Sequence, residues 1–140
     1  MKTITLSFLL FLSLNTAAFA GIAIVVNPGN AINDVSKEDL SKIFLAKTST
    51  FANGQKIELF DLEEGDELRD KFYKEVTNKS ASQIRSFWTR LIFTGKGTPP
   101  AVLLDSEEIV TAVAESTNGI GYVDLDAVND TVKVIMTISN

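Results

Sequence analysis

Gly21-Ile22-Ala23-Ile24-Val25-Val26, followed at once by Asn27-Pro28-Gly29-Asn30, is the stretch on which the fold turns. Six apolar residues, four of them β-branched and none alternating with a polar neighbour, describe a strand buried on both faces. The Asn-Pro-Gly-Asn run then breaks it. Downstream, Ser36 has the chemistry of an N-cap with Asp39 three residues later, and Leu40, Ile43 and Phe44 share the face of a helix expected to end near Lys47. Asn53-Gly54 marks a tight turn, and Ile57 and Leu59 alternate with Glu58 and Asp61 around Phe60 in a second strand.

The middle of the chain has helical periodicity. Leu68, Phe72 and Val76 recur at i, i+4 and i+8, and Ile84, Phe87, Trp88, Leu91 and Ile92 form the stripe of the next helix. Asp105 or Ser106 can cap a further helix carrying Ile109, Val110 and Val113, with Glu107 and Glu108 in its first turn. Asn118-Gly119 ends it, Ile120 to Val123 returns as a strand, and Val132 to Ile138 alternates as the last one. The expected order is β-α-β-α-α-α-β-β, an α/β layer in which helices cover a mixed sheet.

Upstream of the first strand, Lys2, the apolar run Ile4 to Leu14 and Ala18-Phe19-Ala20 have the pattern of a cleaved secretory signal over residues 1–20. The run is shorter than the roughly 20 residues that a bilayer-spanning helix needs, so no membrane insertion is expected after cleavage. Residues 21–140 then form one domain in an exported, periplasmic protein, and with no cysteine in the chain a lipid anchor on a new N-terminal Cys is excluded. Removing Lys2 leaves 12 basic against 18 acidic side chains, a surface that repels nucleic acid and anionic lipid. The absence of His and Cys rules out Ser/His/Asp and Cys/His relays, an HExxH zinc site and thiolate ligands. Carboxylates, lysines, hydroxyls and backbone dipoles remain, and they suit binding without a metal or cofactor better than catalysis.

Five segments in order carry a resemblance: Ala23 to Pro28, Leu40-Ser41-Lys42-Ile43-Phe44-Leu45, Asn53-Gly54-Gln55, Arg69-Asp70-Lys71-Phe72 and Gly119-Ile120-Gly121-Tyr122-Val123. Together they resemble the phosphate-binding subfamily of periplasmic solute-binding proteins, which deliver substrate to an ABC transporter. Trp88 to Pro100, with Phe93-Thr94-Gly95-Lys96-Gly97, fits its short, single-lobe members. The resemblance implies one lobe of a type II periplasmic-binding-protein-like fold and a small anion such as phosphate as ligand. It implies, as partners, an ABC transporter permease or a second lobe or chain that closes the site.

The chain departs from that family in two ways. One lobe lacks half of the usual cleft. Where the phosphate binders place Ser-Gly-Thr before the Arg-x-x-Phe helix, this chain has Glu64-Gly65-Asp66-Glu67 ahead of Leu68 and Arg69. An anion at that helix start would face Glu63, Glu64, Asp66 and Glu67, and a unit charge about 5 Å away costs on the order of 3 kcal/mol at an effective dielectric near 20. Alternatively, the acids are solvated and stabilise the helix start. Candidate ligand-binding residues are therefore Gly65 and Arg69 here, and Thr94, Lys96 and Thr98 in a second loop with two glycines, two hydroxyls and a cation. That loop is no Walker phosphate motif, since Arg90 stands where its first Gly belongs and Gly97 follows Lys96. It also reads simply as a connection stopped by Pro99-Pro100.

Trp88 belongs by its spacing to a core stripe rather than a ligand platform, and Glu63 with Glu67 to a solvated helix face rather than an acid/base pair. Asn78-Lys79-Ser80 and Asn129-Asp130-Thr131 are chance-level glycosylation matches. The expected function is that of a solute-binding protein that takes phosphate or a related small oxyanion, as the resemblance implies; the alternative is a periplasmic interaction or accessory module that has lost solute binding.

Overall fold

Strand β1, Gly21–Val26, is buried at every residue because β4, Gly119–Asp124, and β5, Lys133–Ser139, flank it on either side, both antiparallel. The computed structural model describes residues 20–139, so the expected signal lies outside the described residues except for Ala20. Strand β2, Glu58–Leu62, runs parallel to β4 and to β3, Ala101–Leu103, which gives a five-stranded mixed sheet in the order β3-β2-β4-β1-β5. Among the described residues, four α-helices flank it: α1 Lys37–Phe44, α2 Glu67–Thr77, α3 Ala81–Phe93 and α4 Ser106–Glu115. This is the mixed α/β layer that the periodicity predicts. No helix among the described residues is long and apolar enough to cross a membrane.

Side-chain alternation along β2 and β4 assigns the helices to faces. Gly121 faces α4 so closely that an added Cβ would lie 2.6 Å from Ile109 Cγ2, and Phe60 shares that side. Their neighbours Asp61 and Tyr122 therefore point to the opposite face, where α2 supplies Phe72 and Tyr73 and α1 supplies Phe44. Phe72 stacks on Tyr122 at 3.9 Å, and Phe44 meets Phe72 edge-on at 4.7 Å. Such pairs add on the order of 1 kcal/mol each beyond their burial.

The ends of the helices follow their local chemistry. Ser36 caps α1 by accepting from Asp39 N–H, and Ser80 with Gln83 forms a reciprocal capping box at α3. α1 closes at Phe44 rather than Lys47, because Lys47 N–H bonds back to the Lys42 carbonyl in a non-helical turn. Asp105, not Ser106, caps α4. Three expectations need correction. β3 was unforeseen: three residues after Pro99-Pro100, two of them exposed, give no periodic signal, and the strand exists through its pairing with Phe60–Leu62. Ile92 is half exposed at the end of α3, outside the core stripe. Asp61, expected on a polar strand face, is 2 % exposed.

Candidate functional site

The parallel strands β2, β3 and β4 end on the same side of the sheet, where α2 and α4 begin, the position at which open α/β sheets place ligands. A pocket of about 510 Å³ lies there, walled by Asp66, Glu67, Asp105, Glu107 and Asp124, with Ser106 as its hydroxyl. Helix N-termini ordinarily offer free amides and a positive dipole end to an anion. Here the chain's own carboxylates fill that role. Asp66 Oδ1 accepts from Leu68 N–H at 2.8 Å and Arg69 N–H at 3.3 Å. Asp105 Oδ1 accepts from Glu108 N–H at 2.9 Å, and Glu108 returns a carboxylate oxygen to Leu104 N–H. Ser106 Oγ accepts from Asp124 N–H at 3.0 Å.

The sequence-derived candidates do not form one site. Gly65, at φ +92°, makes the turn before α2, a conformation that L side chains rarely adopt. Arg69 points into the protein, with its Nε 3.6 Å from Asp61 Oδ2 and its guanidinium carbon 5.2 Å from the centre of the Tyr73 ring. Thr94 donates to the Arg90 and Leu91 carbonyls at the end of α3. Lys96 and Thr98 reach the far end of β2, where they meet Lys56, Thr48 and Ser49 around a recess of about 270 Å³. The five residues of β2 separate the two groups by about 13 Å. α1 and α3 both end near this recess, so the negative ends of two helices lie on the same side of the molecule as its two lysines.

A buried polar centre lies between the two groups, and sequence reasoning did not single it out. Asp61 accepts from the Tyr73 hydroxyl at 2.6 Å, from the Tyr122 hydroxyl, and from Leu62 N–H at 2.8 Å, with Arg69 as counter-ion. Trp88 closes it, its indole N–H facing the Tyr73 oxygen without hydrogen-bonding geometry to any described residue. Burial first, and the Asp61 charge second, push both phenols well above the usual tyrosine range. The available signal was Asp61 itself, a charged residue inside a strand between Phe60 and Leu62, where Asp is depleted.

No protein-family model matches the chain, and no curated protein does. Solved structures do. A protein assigned as a phosphate ABC transporter substrate-binding protein from Clostridium perfringens, solved with bound phosphate, superposes with a TM-score of 0.69 at 21% identity, over 84% of this chain and 45% of that one. An ABC-type phosphate transport receptor from Vibrio cholerae gives 0.68 at 23% identity, over 85% and 46%. PstS from Borrelia burgdorferi gives 0.65 at 15% identity, over 84% and 47%. The chain spans about half the length of these proteins and shares the fold of that half, as the resemblance read from its five sequence segments implies.

Proposed function

We propose that the protein is an exported binding module built on one lobe of the phosphate-receptor fold. It is released into the periplasm by cleavage of residues 1–20 and acts through contacts with other envelope macromolecules rather than as a receptor for free phosphate. The observation that carries this reading is the state of the two helix starts. Asp66 already accepts from Leu68 and Arg69 N–H, Asp105 already accepts from Glu108 N–H, and three further carboxylates wall the same pocket. A phosphate that used those three amides would have to displace two internal caps, and any phosphate in the pocket would approach five carboxylates. Arg69, the cation nearest in sequence, is engaged by Asp61.

Equilibrium dialysis with phosphate and sulfate tests it. The parent should retain neither at millimolar concentration, whereas Glu64→Ser combined with Asp66→Thr, which restores a hydroxyl cap, should gain affinity. Micromolar retention by the parent would overturn the proposal.

One observation favours a second reading, a weak small-oxyanion site at the recess of Lys56 and Lys96, lined by the hydroxyls of Thr48, Ser49 and Thr98. With two helix C-termini nearby, its affinity would be millimolar at best. Retention at that level, lost on Lys56→Glu with Lys96→Glu, would support it. A permease or second chain closing on an anion belongs to this reading and would appear as anion-dependent association in sedimentation.

A further inference from the structure

Acidic and basic side chains are segregated along this chain. From Val76 to Leu104 there is no Asp or Glu, all 18 of them lying outside that stretch, whereas Lys79, Arg85, Arg90 and Lys96 lie inside it. The same stretch runs through α3, the loop after it and β3, and it holds four of the five large apolar side chains that the described residues expose: Ile92, Phe93, Val102 and Leu104. Phe93 is 91 % exposed. Single exposed apolar residues are ordinary, but four on one connected piece of an otherwise acidic surface mark a place of contact.

The fold brings these pieces together. α3 runs antiparallel to β2 along the sheet face that carries Asp61: Arg85 pairs with Glu64 just past the end of β2, while Trp88 and Lys96 line a recess with Ile57 and Leu59 at its start. The loop then folds back on the helix. Lys96 N–H donates to the Leu91 carbonyl, and Gly97 lies so close to Leu91 that an added Cβ would meet its Cδ2 at 2.4 Å. Three residues lead from Gly97 to Ala101, so β3 starts within about 14 Å of it. Val102 is the register partner of Asp61 and therefore stands on the face that α3 covers, at the margin of the sheet.

β3 is an edge strand. It pairs with β2 on one side, and no described residue pairs with the other. Edges are ordinarily guarded by charge, Pro or cover, and although Pro99-Pro100 stop this one short, Ala101, Val102 and Leu103 carry no charge. Such an edge can accept an added strand. The charges decide what kind. Arg90 and Lys96 make no ion pair among the described residues, so they attract a segment bearing carboxylates that the rest of the surface repels. A flat anionic bilayer fits less well, because on touching Leu104 it would also meet Asp105, Glu107 and Glu108, which open α4 directly afterwards. A narrow segment avoids them.

We propose that this face of α3 and β3 docks an extended, acidic and apolar segment of a partner protein. The segment adds to the free edge of β3, packs apolar side chains on Val102 and Phe93, and turns carboxylates toward Arg90 and Lys96. The inference rests on the interaction reading above and gives it a surface.

The test is selection from a library of random peptides about twelve residues long, which extended span roughly 40 Å, on the purified protein. Enriched peptides should be apolar and acidic, with Asp and Glu in excess of Lys and Arg. They should bind Phe93→Ser, and separately Arg90→Glu/Lys96→Glu, about tenfold more weakly, all three changes being at exposed residues. They should also shift the backbone amide signals of Ala101 to Leu103 in ¹⁵N spectra. Enriched peptides without acids, equal binding to either variant, or unmoved β3 amides would overturn the proposal. So would phosphatidylglycerol vesicles, or a dimer of this chain, that the parent holds and Phe93→Ser releases, since a bilayer or a second copy would then be the occupant. Tight phosphate binding at the strand ends would defeat the proposed function and leave this face untouched.

Discussion

Asp61 and Asp66 lie five residues apart at the end of β2 and put the same carboxylate to different uses. Asp61 is enclosed, holds two phenols and an arginine, and ties β2 to α2 and β4. Asp66 stands at the rim of the strand-end pocket and caps α2. The first carboxylate organises the interior at a high desolvation cost, and its partners depend on it. The second stabilises one helix turn and, by occupying amides that an anion would use, changes what the surface can bind. Enclosure decides which of the two is structural and which shapes function.

The sharpest break in this contrast is Asp61→Ala. It would strand the buried Arg69 and leave two hydroxyls without an acceptor, so denaturant unfolding should report a loss of about 3–5 kcal/mol. Next comes the pH dependence of the same cluster. Below about pH 10 the phenols are protonated whether the chain is folded or not. Above it, the unfolded chain releases protons that Tyr73 and Tyr122 retain when folded, so stability must fall as pH rises. The slope approaches about 1.4 kcal/mol per pH unit for each phenol, and Tyr122→Phe should remove one share in melts between pH 9 and 11.5. At the rim the effects shrink. Asp66→Ala should cost about 1 kcal/mol through loss of the cap, and Asp66→Thr much less. Glu64→Gln removes the half-exposed pair with Arg85 and should change stability by less than about 1 kcal/mol, and by less still at high salt. An Asp66→Ala loss as large as that of Asp61→Ala would erase the contrast.

What the sequence disclosed follows the same division. β1, the caps Ser36 and Asp105 and the stripes of α1, α2 and α4 are local or periodic features, so a single sequence displays them. β3 exists by pairing with a distant strand and has no pattern of its own. The orientation of Arg69 was hidden for a related reason. Its place in the Arg-x-x-Phe segment suggests a cation at the mouth of the pocket, but Asp61, eight residues earlier, draws it inward. Lys96 and Thr98 were legible as a polar, glycine-rich loop. That they would meet Lys56, Thr48 and Ser49 depends on how α1 and α3 end against β2.

At the two helix starts, the Leu68, Arg69 and Glu108 amides are closed to anions by the carboxylates of Asp66 and Asp105. Phosphate titration followed by ¹⁵N–¹H spectroscopy reads those amides directly. Leu68, Arg69 and Glu108 should keep their positions through 10 mM phosphate, an upper limit set by the roughly −3 kcal/mol to which such weak binding corresponds. Saturable shifts at these three residues at micromolar phosphate would contradict the account.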